Sequence, residues 1–466
     1  MNALKLEHSL ISSIFCSDTI FNIIINDLFL TDVCSLDIAL TNTLFRPQFL
    51  GVISSCQYRV RDYFKRGSNC LDWVKLRNLS LAYLGCLNSC ADDHFDCKSY
   101  SKLMSLNISC CDGISVAGFN SIGLYCHNVE DLNISQMNNI NDALLSLTKH
   151  CAKLTWLNVS KNVLCDESTQ AICELWPQLR VINMSECRMS VKSVLAVSQS
   201  LVNITKINLQ DVSTVSSESL INLREFCIKL TSVSIGHKNS MHLFVLNIPR
   251  VIWENFFSLN NNMRDISLGP ECTDNLLNII SKNCLQLESL GLKNCDDVSS
   301  AGLCFVCARC RYMNSFSVIG CYGVDDSFLE AITTNRLQIM YLFLCEINVT
   351  VMGLCDILNF CLHTIKVLSI GLCNLNEYFF QFMSSKCFRA LKILIIWETK
   401  LRPENADLLI QMCLEKDWSV MRLDDNENIW YSNRFDVGYG ILNDDSTNFY
   451  DSNNFIYSDC NGFLIS

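Results

Sequence analysis

The sequence lacks any uninterrupted apolar run of about 18 residues, which is the length that a membrane-spanning helix needs. The longest candidate, Leu243 to Leu259, is broken by Pro249, Arg250 and Glu254. The N-terminus also lacks a basic region followed by an apolar segment and a small-residue cleavage site, the pattern of a secretory signal peptide. We therefore expect no membrane insertion, and a reducing compartment, the cytoplasm or the nucleus.

Charged residues are few, and acidic residues outnumber basic ones. Charged residues make up 18% of the chain, with 36 Lys and Arg against 47 Asp and Glu, a net charge of −11. Nucleic-acid phosphates require a basic surface, so we expect no nucleic-acid partner. The one basic and aromatic stretch, residues 57–77, is diluted by Asp62 and Asp72, which favours a solvated linker over a nucleic-acid contact.

Patterns of catalytic and ligand sites are also missing. No G-x-S-x-G, Walker-type loop, H-E-x-x-H or EF-hand pattern occurs, and the seven histidines have no metal-binding spacing. Cys304, Cys307 and Cys310 form a C-x-x-C-x-x-C run that suggests zinc, but a closed zinc site needs four ligands, usually from two separated pairs. We expect structural thiols there, and no enzyme, cofactor or metal.

A repeated unit occupies most of the chain. From Cys284 to Cys310 it reads CLQLESLGLKNCDDVSSAGLCFVCARC. Its apolar period changes from 2 to about 3.6, which predicts a short strand, a turn and a helix. Fourteen apolar anchors, spaced by 24 to 33 residues, begin such units: Leu76, Leu103, Val129, Leu154, Leu179, Ile204, Leu230, Met263, Leu287, Met313, Leu337, Ile365, Leu391 and Trp418.

This period predicts an α/β leucine-rich-repeat solenoid, a horseshoe with parallel strands inside and helices outside. Half of the residues are hydrophobic, enough for one long shared core. Many of the 29 cysteines follow the strand or stand three residues before the next anchor. In this the repeats resemble the cysteine-containing class of leucine-rich repeat found in F-box proteins and their relatives. We expect these thiols to be free and buried.

Residues 1–60 do not fit the repeat, and the spacing of their apolar residues predicts short helices. The run LFLTDVCSLDIALTNTLFRPQF, from Leu28 to Phe49, resembles the second half of an F-box, although the Leu-Pro that usually opens that motif is absent. The resemblance implies binding to a Skp-type adaptor, and through it to a cullin. A plain helical cap on the open end of the solenoid is the alternative. The adaptor contacts it implies are Ile24, Leu28, Asp32, Val33, Leu36 and Phe45.

The chain thus divides into a helical segment 1–60, a linker 61–75, the repeat array 76–426 and an acidic, Asn-rich tail 427–466. An insertion near 239–262 lengthens one repeat. Its aromatic residues, which include Trp253 and Phe256, could line a binding loop, but we favour packing against neighbouring helices. We expect the first part of the tail to cap the last repeat.

Alternate residues of each strand face solvent on the concave side. In the early repeats most of these are polar, with an Asn in each repeat: Ser105, Asn107, Asp131, Asn133, Trp156, Asn158, Val181, Asn183, Lys206 and Asn208. Small and polar residues follow: Ser232, Ser234, Asp265, Ser267, Ser289, Gly291, Ser315 and Ser317. Near the C-terminus the predicted outward residues are apolar: Ile339, Tyr341, Phe343, Val367, Ile393, Ile395 and Trp397.

An exposed apolar patch usually marks an interaction site. We therefore expect this apolar set to bind a target protein, unless the tail folds back and covers it. The leading hypothesis is a substrate-recognition subunit of an SCF-type ubiquitin ligase. The alternative is a non-enzymatic leucine-rich-repeat scaffold whose N-terminal helices only cap the array.

Overall fold

The structure is a computed structural model of the whole chain, and it divides into two compact units, residues 1–203 and 204–466. It describes residues 78–80, 103–109, 114–138, 140–236, 246, 248–371, 373, 375–397, 419–423 and 429–432. The F-box-like segment, with Ile24, Leu28, Asp32, Val33, Leu36 and Phe45, lies outside the described residues. None of the described helices is long and apolar enough to span a bilayer.

The first unit alternates short parallel strands with helices. Each strand pairs with the next one in sequence, and equivalent repeat positions face each other, as in Leu132 with Leu157. The described strands are β1 (Asn78–Ser80), β2 (Ser105–Asn107), β3 (Asp131–Asn133), β4 (Trp156–Asn158) and β5 (Val181–Asn183). The described helices are α1 (Val116–Tyr125), α2 (Ile140–Leu147), α3 (Asp166–Leu175) and α4 (Val191–Ser200).

The second unit repeats the same alternation and ends in an antiparallel strand. Its strands are β6 (Lys206–Gln210), β7 (Ser232–Gly236), β8 (Asp265–Leu268), β9 (Ser289–Lys293), β10 (Ser315–Ile319), β11 (Tyr341–Cys345), β12 (Val367–Gly371), β13 (Ile393–Trp397), β14 (Ser419–Leu423) and β15 (Ile429–Ser432). Its described helices are α5 (Ser217–Phe226), α6 (Arg250–Leu259), α7 (Asp274–Asn283), α8 (Ser300–Arg309), α9 (Asp326–Thr334), α10 (Val351–Phe360) and α11 (Glu377–Ser385).

The core of each unit lies between its strands and its helices. Inward strand residues such as Leu290 and Leu292 are buried, and so are helix residues such as Leu303 and Val306. A single strand–helix unit is too small to bury these side chains alone, so stacked neighbours complete the core. The architecture is that of an α/β leucine-rich-repeat solenoid, as the period predicts.

The Asn residues of the early repeats end their strands. The Oδ1 of Asn107, Asn133, Asn158 or Asn183 accepts the backbone N–H of the residue two positions later, at 3.0–3.1 Å. A short Asn side chain stabilises such a turn because it replaces a backbone acceptor. The residue after the turn is left-handed in three of these repeats: Gln136, Lys161 and Glu186 have φ of 54–60°. These asparagines therefore have a structural role.

The lengthened repeat differs from its neighbours before its helix. Thirteen residues, 237–249, separate β7 from α6, whereas six residues, 211–216, separate β6 from α5. Helix α6 itself is a regular repeat helix, and it buries Trp253, Phe256 and Phe257 on its inner face. Part of the predicted insertion is thus ordinary core, and the extra length belongs to the preceding loop.

Part of the acidic tail extends the sheet of the second unit. Strand β15 pairs antiparallel with β14, and Met421 faces Tyr431 in this register. An unpaired strand edge exposes backbone N–H and C=O groups, which β15 covers on one side of β14. This short strand thus closes the edge of the last parallel strand.

Candidate protein-binding face

Two lines of side chains run across the sheet of the second unit on the face away from its helices. The strand register defines them, because equivalent residues of neighbouring strands lie side by side. The first outer row consists of Lys206, Ser232, Asp265, Ser289, Ser315, Tyr341, Val367 and Ile393. The second outer row consists of Asn208, Ser234, Ser267, Gly291, Ser317, Phe343, Ser369 and Ile395.

One predicted contact residue, Ile339, does not belong to this face. Tyr341 pairs with Ser315 and with Val367, so Ile339 is equivalent to the core anchors Met313 and Ile365. Its side chain is 0% exposed. The prediction that Ile339 points outward is wrong, because the anchor of this repeat is Ile339 and not Leu337: Ile339 lies 26 residues after Met313 and 26 residues before Ile365.

The second outer row is buried, which also corrects the expectation of an exposed apolar patch. Phe343 and Ile395 are each 1% exposed in the isolated chain, and the neighbouring serines Ser317 and Ser369 are buried as well. Phe343 stands between these two small residues in the register. Small neighbours leave space for a large ring, so this part of the row packs like a core.

Part of the first outer row is partly exposed to solvent. Tyr341 and Val367 are half-buried, and the Lys366 ammonium lies 6.0 Å from the centre of the Tyr341 ring. This distance allows a weak cation–π attraction that holds the ring at the surface. Ile393 continues this row in β13, and Trp397 ends the same strand opposite Gly371; their side chains lie outside what the structure describes.

A half-buried carboxylate lies in the same row. The pKa of Asp265 is raised from 3.8 to about 6, chiefly by burial; Lys206 opposes the shift, Glu288 adds to it and Arg264 opposes it. Burial has this effect because it disfavours the charged form of an acid. Gln210 donates from Nε2 to the Ser267 hydroxyl at 3.0 Å beside it. The N-terminal part of this face is therefore polar, and its C-terminal part is apolar.

The cysteines of the C-x-x-C-x-x-C run have separate contacts. The Cys310 thiol donates to the Cys284 carbonyl at 3.6 Å, and the Cys304 thiol donates to the Ser327 carbonyl at 3.7 Å. Cys307 is fully buried in α8, and burial raises its pKa. No group of three or more possible metal ligands occurs in the part of the chain that the structure describes.

Thiols connect neighbouring repeats elsewhere too. The Cys284 thiol donates to the Asn260 carbonyl at 3.5 Å, and the Cys295 thiol donates to the Gly269 carbonyl at 2.9 Å. In each case the acceptor belongs to the preceding repeat. The cysteine pattern therefore reflects packing between repeats, and the described cysteines are free thiols.

A cavity of about 480 Å³ opens beside the lengthened loop of the second unit. Its lining residues are Leu246, Ile248, Arg250, Trp253, Pro270, Glu271, Thr273, Leu276 and Asp297. This volume is within the range of small-ligand sites. A binding loop at this insertion is the less favoured of the two alternatives that the sequence allows, and the long interval between Leu230 and Met263 marks the repeat as unusual.

Comparison with known proteins identifies the fold and no family. No protein-family model matches the chain, and no curated protein matches it. A chain of the crystal structure of the Rad7 and Elc1 complex in yeast is 13% identical; the match covers 80% of this chain and 97% of that chain, with a TM-score of 0.56.

Two further structures are more distant. The leucine-rich-repeat protein LegL7 from Legionella pneumophila is 14% identical, with 58% of this chain and 94% of that chain covered and a TM-score of 0.37. A chain of the TLR13–ssRNA13 complex is 11% identical, with 70% of this chain and 48% of that chain covered and a TM-score of 0.38. Of the three, the chain of the Rad7–Elc1 complex is similar enough to support the fold, which is the leucine-rich-repeat solenoid described above.

Proposed function

We propose that this chain is a non-enzymatic recognition subunit of an SCF-type, cullin-based ubiquitin ligase. Its F-box-like segment docks a Skp-type adaptor, and its repeat array holds a target protein. Such a subunit carries no catalytic residue, because it acts by raising the effective concentration of the target near the ligase. The observation that carries the proposal is the coincidence of an F-box-like segment with a repeat array of this fold.

The structural neighbour supports the same proposal. The yeast structure is that of a complex of two proteins, Rad7 and Elc1, and the fold similarity extends over 97% of the matched chain. By analogy we propose that the present chain also holds a second protein. The adaptor contacts would be Ile24, Leu28, Asp32, Val33, Leu36 and Phe45, whose sequence pattern predicts an apolar helix surface with one carboxylate.

The target would bind the C-terminal half of the first outer row. Tyr341 and Val367 are partly exposed there, and Ile393 extends their row in the next strand. Tyrosine is a frequent anchor of binding energy because it combines a large apolar ring with a hydroxyl. Phe343 and Ile395 are buried and are not its first points of contact.

Binding of the full-length chain to a purified Skp-type adaptor tests this function. Size-exclusion chromatography with light scattering should detect a one-to-one complex. The double variant Val33→Asp/Leu36→Asp should abolish it, because two charges on the predicted apolar surface must be desolvated on binding. Leu124→Asp is the matched control, since Leu124 is 57% exposed on α1, far along the sequence from the F-box-like segment.

A scaffold without an adaptor is the second candidate, and the absence of the Leu-Pro that usually opens the F-box favours it. In that case the N-terminal helices only cap the array, and the wild-type chain forms no complex with the adaptor. Retention of adaptor binding by the Val33→Asp/Leu36→Asp variant would instead place the contact elsewhere on the chain.

A further inference from the structure

The cavity beside the lengthened loop has an apolar wall. Leu246, Trp253 and Leu276 are buried, and Ile248 and Pro270 are partly buried around them. Trp253 also stacks on Phe257, with ring centroids 6.3 Å apart and an angle of 11° between the ring planes. This wall suits the methylene groups of a long side chain, which pack on apolar surface while the polar end stays at the rim.

The rim of the cavity has an excess of negative charge. Glu271 and Asp297 line it together with a single cation, Arg250. Arg250 already pairs with Glu254, with 2.7 Å between Nε and Oε1. Within the part of the chain that the structure describes, neither Glu271 nor Asp297 forms an ion pair. An occupant with a positive charge would therefore balance the rim.

A hydrogen bond holds the carboxylate of Glu271, whereas Asp297 is held only through its main chain. Glu271 Oε1 accepts the backbone N–H of Leu246 at 3.1 Å, which fixes the side chain at the cavity mouth. The backbone carbonyl of Asp297 accepts the N–H of Asp274 at 3.3 Å, so the position of Asp297 is set by its main chain. Both carboxylates keep oxygens that can accept from a ligand.

Trp253, which lines the cavity, has a hydrogen-bond donor without an acceptor. Its side chain is 2% exposed, and Nε1 is buried with no partner among the described residues. A buried donor without an acceptor costs free energy. The indole N–H of Trp253 is thus a spectroscopic probe in the wall of the cavity.

From these features we propose that the cavity binds an arginine side chain from a basic peptide segment of a partner protein. The methylene groups contact the apolar wall, which includes Trp253, and the guanidinium lies between Glu271 and Asp297. Arginine fits better than lysine because its planar group offers several donors in a fixed arrangement and is weakly hydrated. The proposal is independent of the adaptor.

The direct test uses the full-length chain with ¹⁵N-labelled tryptophan side chains. The probe is Nα-acetyl-arginine N-methylamide, which carries one guanidinium and two carbonyls. Its neutral counterpart, Nα-acetyl-citrulline N-methylamide, has the same shape without the charge. The indole N–H resonance of Trp253, assigned with the Trp253→Phe variant, should shift saturably with the arginine probe, and the citrulline probe should bind at least about tenfold more weakly.

Matched variants distinguish binding in this cavity from nonspecific attraction of the probe to the acidic protein. The double variant Glu271→Gln/Asp297→Asn should weaken binding about tenfold or more, and glutamine at position 271 can still accept the Leu246 N–H. Glu218→Gln removes an exposed carboxylate from the first turn of α5 and should leave binding unchanged. Equal binding of both probes, no saturable shift of the Trp253 resonance, or full binding by the double variant would each overturn the proposal.

Discussion

Asp326 in one repeat holds Thr350 at the start of the next helix. The Thr350 backbone N–H donates to Asp326 Oδ1 at 2.7 Å, and the Thr350 hydroxyl donates to Oδ2 at 2.6 Å. Asp274 and Ser299 repeat the arrangement at 2.8 Å and 2.6 Å. Each carboxylate is the first residue of a helix, where the helix dipole favours negative charge. Neighbouring helices are thereby coupled through their N-termini.

Substitution of Gly353 tests this coupling. A Cβ on Gly353 would overlap Asp326 Oδ1, as one on Gly302 would overlap Asp274 Oδ1. We expect Gly353→Ala to lower the free energy of unfolding by roughly 1–3 kcal/mol, because the carboxylate must move and weaken its bonds to Thr350. Urea denaturation followed by circular dichroism measures the change.

A double-mutant cycle serves as the control for this prediction. In an Asp326→Ala background the carboxylate is absent, so Gly353→Ala should no longer cause a clash, and the two effects should not add. Additive losses would mean that Gly353 and Asp326 are not in contact.

Asp265 gives a pH-dependent prediction. Its folded-state pKa of about 6 lies above the unfolded value, so the folded state binds more protons between about pH 4 and pH 6. Asp265 therefore lowers stability as the pH rises through this window, and the loss remains at pH 7. Asp265→Asn should unfold like the wild type near pH 4 and be more stable by on the order of 2 kcal/mol at pH 7.

The decisive quantity is how the difference in stability between Asp265→Asn and the wild type changes with pH, because other titrating groups contribute equally to both proteins. A constant difference between pH 4 and pH 7 would show that Asp265 titrates normally. Lys206→Met offers a second check, since loss of the nearby ammonium should raise the pKa of Asp265 further.

Phe343 and Tyr341 should respond differently to truncation. Phe343→Ala should cost about 3–5 kcal/mol of unfolding free energy, because it empties a buried site. Tyr341→Ala should cost about 1 kcal/mol, since its ring is partly exposed. Denaturant titrations of both variants, with the exposed Tyr378→Ala as reference, measure the contrast. A negligible loss of unfolding free energy in Phe343→Ala would mean that Phe343 lies on the exposed contact surface.

The strand-ending asparagines supply a further prediction. Asn158→Ala removes the acceptor of the Ser160 N–H, which is 3.0 Å from Asn158 Oδ1, and should destabilise the chain by about 1 kcal/mol. Asn158→Asp keeps an acceptor oxygen at the same position and should be close to neutral. Thermal melting of the two variants compares them, and equal melting temperatures would contradict the structural role.

Much of the fold could be predicted from the sequence because local patterns determine it. The anchors from Leu103 to Leu391 are buried wherever the structure describes them, since a strand of period 2 and a helix of period 3.6 can share a core in this arrangement. The error at Ile339 arose because Leu337 is also apolar and buried, so hydrophobicity alone does not distinguish two anchors that are two residues apart.

The candidate site was less predictable. Phe343 and Ile395 occupy the row expected of them, but alternation along a strand predicts which way a side chain points and not what covers it. The cavity depends on residues from three separate segments, around Ile248, Glu271 and Asp297, and no local pattern brings these together. Only the lengthened interval before Met263 indicated that the repeat was unusual.

The central claim is that the repeats of each unit share one interior that buries their thiols. Burial raises the pKa of Cys284 to about 12 and that of Cys310 to about 11, so neither forms the reactive thiolate at neutral pH. Alkylation of the native protein, analysed peptide by peptide with mass spectrometry, tests this most directly. We predict that Cys284 and Cys310 stay unmodified while the exposed Cys387 reacts, and that all three react after denaturation without reductant. Rapid labelling of Cys284 or Cys310 in the native protein, or a need for reductant after denaturation, would contradict the claim.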